Sequence, residues 1–276
     1  MSELIDHQKE LEHLYSKNQL IPRVRAEFLN PAVGLVDYLQ KVQIPEEFGV
    51  NLLVQMALHK RATLPTLVGI LKRHFNTAQE CADMLLKAAE CDLVDWSPDL
   101  KLFIVKFTVT PEVQAEIDRF QFPLPMVVKP RHIRNNRTSG YLLNQASVLL
   151  RDNHHENDVC LDHLNRVNGV KLTINDRVVK MVKNSWRNLD KPKEGETREK
   201  FLDRKRAFEK YDTTAKDVMN VLMAHSNEFY LTHRYDKRGR VYCMGFHVNY
   251  QGNSWNKAVI ELAEKDPDRL VEIIAA

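Results

Sequence analysis

Residues 236–257, Asp236-Lys-Arg-Gly-Arg-Val-Tyr-Cys-Met-Gly-Phe-His-Val-Asn-Tyr-Gln-Gly-Asn-Ser-Trp-Asn-Lys257, organise the reading of the whole chain. The window from Phe229 to Lys257 carries five basic side chains, Arg234, Lys237, Arg238, Arg240 and Lys257, against one acid, Asp236. Seven of the chain's 22 aromatic residues are interleaved with them. Cations suit phosphates, and aromatic faces suit bases or sugars. Gly239, between two arginines, permits a positive φ or a close backbone approach and leaves both guanidinium groups free to face one target. A plain β-hairpin with a basic, solvated turn is the competing reading, because Tyr230, Tyr242, Phe246, Val248 and Tyr250 fit strand alternation.

Asp236-x-x-Gly239-Arg240-Val241-Tyr242, followed by Gln251-Gly252-Asn253 and Lys257, resembles the D-x-x-G-R element of the single-subunit RNA polymerases of phages and mitochondria. The related family A DNA polymerases usually carry threonine where Asp236 stands, so the aspartate favours the RNA side. The resemblance implies that Arg240 contacts the template or hybrid backbone near the growing RNA end. Asp236 and Arg238 would shape the loop, Tyr242 would pack beside the template base, Gly239 would permit the close approach, and Lys257 would meet a phosphate.

Upstream, Arg119 to Arg151 holds six basic residues and no acidic one: Arg119, Lys129, Arg131, Arg134, Arg137 and Arg151. The net charge of the chain is only +3, so this local excess is the clearest electrostatic footprint of phosphate contact. The stretch includes Leu124-Pro-Met-Val-Val-Lys-Pro130 and Ser139-Gly140-Tyr141, which resemble the segments that precede the thumb in the same polymerases, although several family prolines and glycines are replaced.

The remainder describes an ordinary globular chain, with 43% hydrophobic and 28% charged residues over 276 positions. Its four cysteines show no C-x-x-C spacing, which argues against a disulfide framework or a cysteine zinc site. No signal peptide and no membrane-spanning run is expected. No phosphate-cradling G-x-x-x-x-G-K-[ST], dinucleotide G-x-G-x-x-G or hydrolase G-x-S-x-G occurs.

The first third reads as helices. Leu4, Leu11, Leu14 and Tyr15 form one stripe, Asn30-Pro31 supplies a start signal, and Pro45 opens a segment with Phe48, Leu52, Leu53, Met56 and Ala57 inward. Helices are expected over Thr63 to Phe75 and Thr77 to Cys91, the latter with Ala82, Leu85, Leu86 and Ala89 inward. A hairpin over 92–109, with its turn at Ser97-Pro98-Asp99, and a short helix after Thr110-Pro111 follow. Helix, helix, hairpin is also the order of a winged-helix DNA reader, but Lys87 is the only cation on the expected recognition helix, beside Glu80, Asp83 and Glu90. In the polymerase family a hairpin in this place wedges into melted DNA, which implies a wedge at Trp96. Packing of Trp96 on Phe103 or Phe107 is the alternative.

His154, His155, Glu156, Asp158, Cys160, Asp162 and His163 read as a solvated polar linker rather than a metal site. Leu164 to Trp186 reads as a helix and turn followed by an amphipathic helix. Arg204, Lys205, Arg206 and Lys210 suit either a helix along an RNA:DNA hybrid or solvated i,i+4 pairs. Further helices are expected over Thr213 to His225, Ala258 to Ala263 and from Asp266-Pro267 to Ile274.

The fold class expected is therefore α+β and mostly helical. By resemblance it comprises an N-terminal domain over 1–170 with its hairpin at 92–109, thumb-like helices over 171–227, and the first strands of a polymerase palm over 228–276. Polymerases of this family hold two metal ions on palm carboxylates that lie downstream of the D-x-x-G-R element. This chain contains no His-Asp dipeptide and runs about 35 residues past that element. The resemblance implies no catalytic residue here and inactivity alone. It implies a larger polymerase subunit that carries the rest of the palm, the fingers and the Mg2+ ions, as in the heterodimeric RNA polymerases of Schitoviridae phages. Template DNA, an RNA:DNA hybrid and auxiliary DNA-melting proteins would be the other partners, in the cytoplasm of an infected bacterium. A truncated, inactive fragment and a winged-helix regulator stay open as alternatives.

Overall fold

The computed structural model describes residues 2–265 except 145, 152 and 154. It is α+β and mostly helical, as the sequence implies. Contacts divide the chain into two compact units, Ser16–Gln121 and a second that joins Met1–Tyr15 to Phe122–Ala276. These cuts fall elsewhere than the 170/171 and 227/228 divisions drawn by resemblance. The expected helix from Asp266 to Ile274, and His154 of the polar cluster, lie outside the described residues.

Helix α1 (Ser2–Leu14) belongs to the second unit. Its stripe is less apolar than the pattern implies: Leu11 and Tyr15 are buried, whereas Leu14 is 42% exposed. The buried polar pair Gln8 and Glu12 anchors the helix instead. Gln8 accepts the Val127 amide at 2.8 Å, and Glu12 accepts the amides of Leu142, Leu143 and Asn144 at 2.8, 2.6 and 3.2 Å. Glu12→Ala leaves three amides without an acceptor and is expected to destabilise the unit by on the order of 3 kcal/mol, with Glu12→Gln milder. Urea midpoints of the two variants against wild type check this.

The Ser16–Gln121 unit contains α2 (Lys17–Phe28), α3 (Leu35–Lys41), α4 (Glu46–His59), β1 (Arg61–Thr63), α5 (Leu64–Leu71), α6 (Ala78–Glu90), β2 (Asp95–Ser97), β3 (Leu102–Ile104) and α7 (Pro111–Phe120). α4 is apolar on nearly every face, from Phe48 to Leu58, and therefore runs through the core. Gly49 lets α3 close onto it, since an added Cβ would sit 2.5 Å from a Leu39 methyl. Local chemistry explains the helix starts. Thr77 accepts the Glu80 amide at 3.1 Å while Glu80 accepts the Asn76 amide, a reciprocal cap for α6, and Pro111 occupies the first turn of α7.

The buried face of α6 is Cys81, Leu85 and Ala88, and Leu86 is 39% exposed. The residues Arg61–Thr63 form a strand before α5 rather than leading straight into a helix, and they complete a sheet of order β1-β3-β2. Fully buried Phe103 lies in register with Ala62 on one side and Trp96 on the other. Three residues are too few to show strand alternation, so only their pairing partner reveals them.

The second unit continues with α8 (Leu161–Asn168), β4 (Leu172–Ile174), α9 (Asp176–Met181), α10 (Arg198–His225), β5 (His233–Tyr235), β6 (Val241–Cys243), α11 (Ser254–Val259) and β7 (Ile260–Leu262). α10 is one helix of 28 residues, capped by Thr197, which joins the helical stretch expected around Arg204 to Lys210 and the helix expected over Thr213 to His225 into a single element. Its buried residues, Ala215, Val218, Met219 and Leu222, all lie in the second half, and the first half is held by the Arg204–Glu196 pair and by Phe208 against Trp186. Ile260–Leu262, expected as helix, is a strand paired with β4. Val259 and Ile260 are β-branched, and the open edge of β4 outweighs helix propagation there. The amphipathic helix expected to approach Trp186 stops at Met181, which is 83% exposed. Among the described residues, no helix is long and apolar enough to cross a membrane.

Candidate nucleic-acid interface

The D-x-x-G-R residues form the turn between β5 and β6. The Gly239 amide donates to the Asp236 carbonyl at 3.0 Å, and the Asp236 amide donates to the Arg240 carbonyl at 2.9 Å. Gly239 has φ +78°. This is a type I turn closed by a left-handed residue, which asks for aspartate at its first position and glycine at its fourth. The motif is thus a turn code as much as a binding code. No atom of the described residues lies within 4 Å of a Cβ added at Gly239. Gly239→Ala therefore carries only the backbone cost of the left-handed region, about 1–2 kcal/mol, which thermal melting can check.

Asp236 is the hub of the turn. One carboxylate oxygen accepts the amides of Arg238 and Arg240 at 2.8 and 3.1 Å. The other accepts Arg238 Nε at 3.2 Å, Arg240 Nε at 2.7 Å and the Tyr242 hydroxyl at 3.2 Å. Burial pushes its pKa up, but the Arg240 amide and guanidinium and the Tyr242 hydroxyl outweigh it and hold the carboxyl below the usual range. Arg238 and Arg240 remain 63% and 52% exposed while Asp236 is 4% exposed. Arg240 is engaged by Asp236 through Nε, and its guanidinium carbon lies 5.6 Å from the centre of the Tyr242 ring. The result is a stiff turn that presents two pre-oriented guanidinium groups.

The residues after the turn brace it. Gln251 accepts the Cys243 amide at 2.6 Å and donates to the Val241 carbonyl at 3.0 Å, so one side chain replaces a neighbouring strand along β6. Asn253 caps α11 through the Asn256 amide and donates to Asn184. Gly245 is obligatory for packing, because an added Cβ would meet the Val248 carbonyl oxygen at 1.8 Å. Lys257 is exposed on α11.

Lys129, Arg131, Arg134 and Arg137 are all exposed on the irregular segment before α8. Asn165 of α8 fastens that segment by accepting the Ile133 amide at 2.8 Å and donating to its carbonyl at 3.0 Å. Tyr235 ties it to the hairpin, donating its amide to Val148 and accepting the Leu150 amide, each at 2.8 Å. These four cations and the Asp236 turn thus belong to one unit. Trp96 lies in the other, partly buried, with its ring 4.6 Å from that of Phe103. Of the α10 cations, Arg204 forms a two-pronged pair with Glu196, whose pKa it helps hold down at about 2, and Arg206 pairs with Asp203.

Within the polar cluster, Asp158 accepts the Asn136 amide, His155 meets the Asn157 carbonyl and His163 meets the Tyr235 hydroxyl. No three His, Cys, Asp or Glu side chains among the described residues converge as metal ligands. Among the described residues the donor set therefore does not fit a Mg2+ pair. Arg234 is one of the five cations of the Phe229–Lys257 window and carries no motif signal of its own. It is half-buried in β5, with no carboxylate partner among the described residues, and burial lowers its pKa.

No family model matches the chain. It is 25% identical over 166 residues to a probable DNA-directed RNA polymerase of Agaricus bitorquis, an alignment that covers 51% of this chain and 15% of that protein. The chain is thus distantly similar to a DNA-directed RNA polymerase and spans a small part of that relative's length.

Proposed function

We propose that this chain is the smaller subunit of a divided DNA-directed RNA polymerase, which holds the template strand and the RNA:DNA hybrid while a larger chain carries the metal-binding carboxylates. One observation carries this reading. Both oxygens of Asp236 are committed to Arg238, Arg240 and Tyr242, so the aspartate orients cations and is not available as a metal ligand. The exposed guanidinium groups it orients suit a phosphodiester backbone. Two-metal nucleotidyl transfer then needs carboxylates from a partner, and the Mg2+ ions stay with that partner. The distant polymerase similarity supports the reaction class.

The test is incorporation of labelled ribonucleotides on a single-stranded DNA template by this chain alone, by a larger chain bearing the palm carboxylates alone, and by the two together. Synthesis by the pair only supports the proposal. Synthesis by the larger chain at the same rate without this one would overturn it.

A second reading has a specific observation in its favour: the α5-α6-hairpin order of the Ser16–Gln121 unit is closed by β1 into a three-stranded sheet, an arrangement suited to a winged-helix DNA reader. Against it, Lys87, the one cation of α6, donates to the Gln43 carbonyl at 2.9 Å. Sequence-specific duplex binding that survives Arg240→Ala would favour this second reading.

A further inference from the structure

A cavity of about 380 Å³ opens beside α8, between its last turn and the extended residues 129–132. Three cations line it: Lys129 and Arg131 from the extended segment and Arg166 from the helix. All three are exposed, and among the described residues none is paired with a carboxylate. Among the described residues Asp162 is the only acid on the rim, and His132 is the only aromatic ring. The walls are held by the Asn165 clamp on Ile133 and by the Arg131 amide, which donates to the Gly140 carbonyl at 2.8 Å.

Asn168 supplies the second observation. It is 2% exposed and lines the cavity, and its Oδ1 lies 2.8 Å from Nδ1 of His233. Among the described residues its Nδ2 has no hydrogen-bond partner. A buried amide donor without an acceptor costs free energy unless a ligand supplies one. The carbonyl end of α8 does not oppose an anion strongly, because the Gly169 amide caps the Asn165 and Arg166 carbonyls at 3.1 and 3.0 Å and the Val170 amide caps Val167.

We propose that this cavity is a phosphate subsite, formed by Lys129, Arg131, Arg166 and the Asn168 amide, for one backbone phosphate of the nucleic-acid strand that the Asp236 turn also binds. The lining is rich in donors and offers no broad aromatic face for a base, which favours a strand's backbone over a free nucleotide. Arg166 and Asn168 are the residues newly assigned. The identity of the strand rests on the function proposed above, but the binding does not require synthesis.

The experiment is fluorescence anisotropy of the full chain with a labelled RNA:DNA hybrid across 50–200 mM salt. Arg166→Ala is expected to weaken binding about threefold to tenfold and to make the salt dependence shallower by about one unit of slope, while Arg177→Ala on α9 changes neither. Arg131→Gln, on the opposite wall, should give the same result if Arg166→Ala disturbs α8. Equal affinities and slopes for wild type and both cavity variants, with unchanged circular dichroism, would overturn the proposal. Displacement of the hybrid by low-millimolar pyrophosphate at matched ionic strength, lost in Arg166→Ala, would assign the cavity to free phosphates and overturn the strand assignment. Arg166-dependent binding without any synthesis by the reconstituted pair would sink the polymerase reading and leave the subsite standing.

Discussion

Arg240→Ala is expected to lower ribonucleotide incorporation by the reconstituted pair about 10- to 100-fold, the worth of one charge-assisted hydrogen bond to a phosphate. The geometry explains why this arginine should matter more than its neighbours. Its Nε is held 2.7 Å from Asp236, which orients the guanidinium before a ligand arrives, so little side-chain entropy remains to be lost on binding. Lys237 has no such anchor through Asp236. The variant also removes one of the donors to Asp236, so loss of contact must be separated from loss of the turn. Arg240→Lys restores charge without the planar fork and should recover activity in part. Thermal melting of the Ala and Lys variants should agree within a few degrees. Full activity in Arg240→Ala, or a fall that matches a fall in melting temperature in both variants, would remove the residue from the template-binding role.

The second large effect is acid destabilisation of the unit that contains the turn. His233 and His247 are 2% and 6% exposed, and burial lowers both pKa values to about 4; the neighbouring His163 adds to the effect on His233. In the unfolded chain each titrates near 6.5. Between those values the unfolded chain binds more protons than the folded one, so stability is present in full above about pH 6.5 and is lost as pH falls towards 4. Each histidine can remove up to about 3 kcal/mol over that window. The two differ in kind. His233 meets Asn168 at 2.8 Å and Tyr250, so replacement breaks a buried polar chain. Neither ring nitrogen of His247 has a hydrogen-bond partner among the described residues, and its ring lies among Phe122, Tyr211 and Phe246. His247→Leu should therefore flatten the acid loss and leave stability at pH 7 equal or higher, whereas His233→Leu should lower stability at pH 7 while also flattening the acid loss. Melting temperatures from pH 4 to 8 for both variants decide this. A His247→Leu profile parallel to wild type would contradict it.

What could be read from the chain alone was whatever its own near neighbours complete. The Asp236–Arg240 turn needs an acceptor at its first residue and a left-handed residue at its fourth, and both lie within five positions of sequence. Thr77 with Glu80, and Pro111 after Thr110, are starts of the same local kind. Tertiary structure alone decided elements whose partners are distant. β1 and β7 are three residues long and exist because β3 and β4 offer edges. Glu12 was legible only as a charge on a helix until its acceptors met the amide of Leu142, 130 positions away. The cluster of basic residues was visible in composition. That Arg204 is consumed by Glu196 while Lys129, Arg131 and Arg166 gather at one cavity was not, because a charge pattern records how many cations a segment has and says nothing about which carboxylates the fold brings to them.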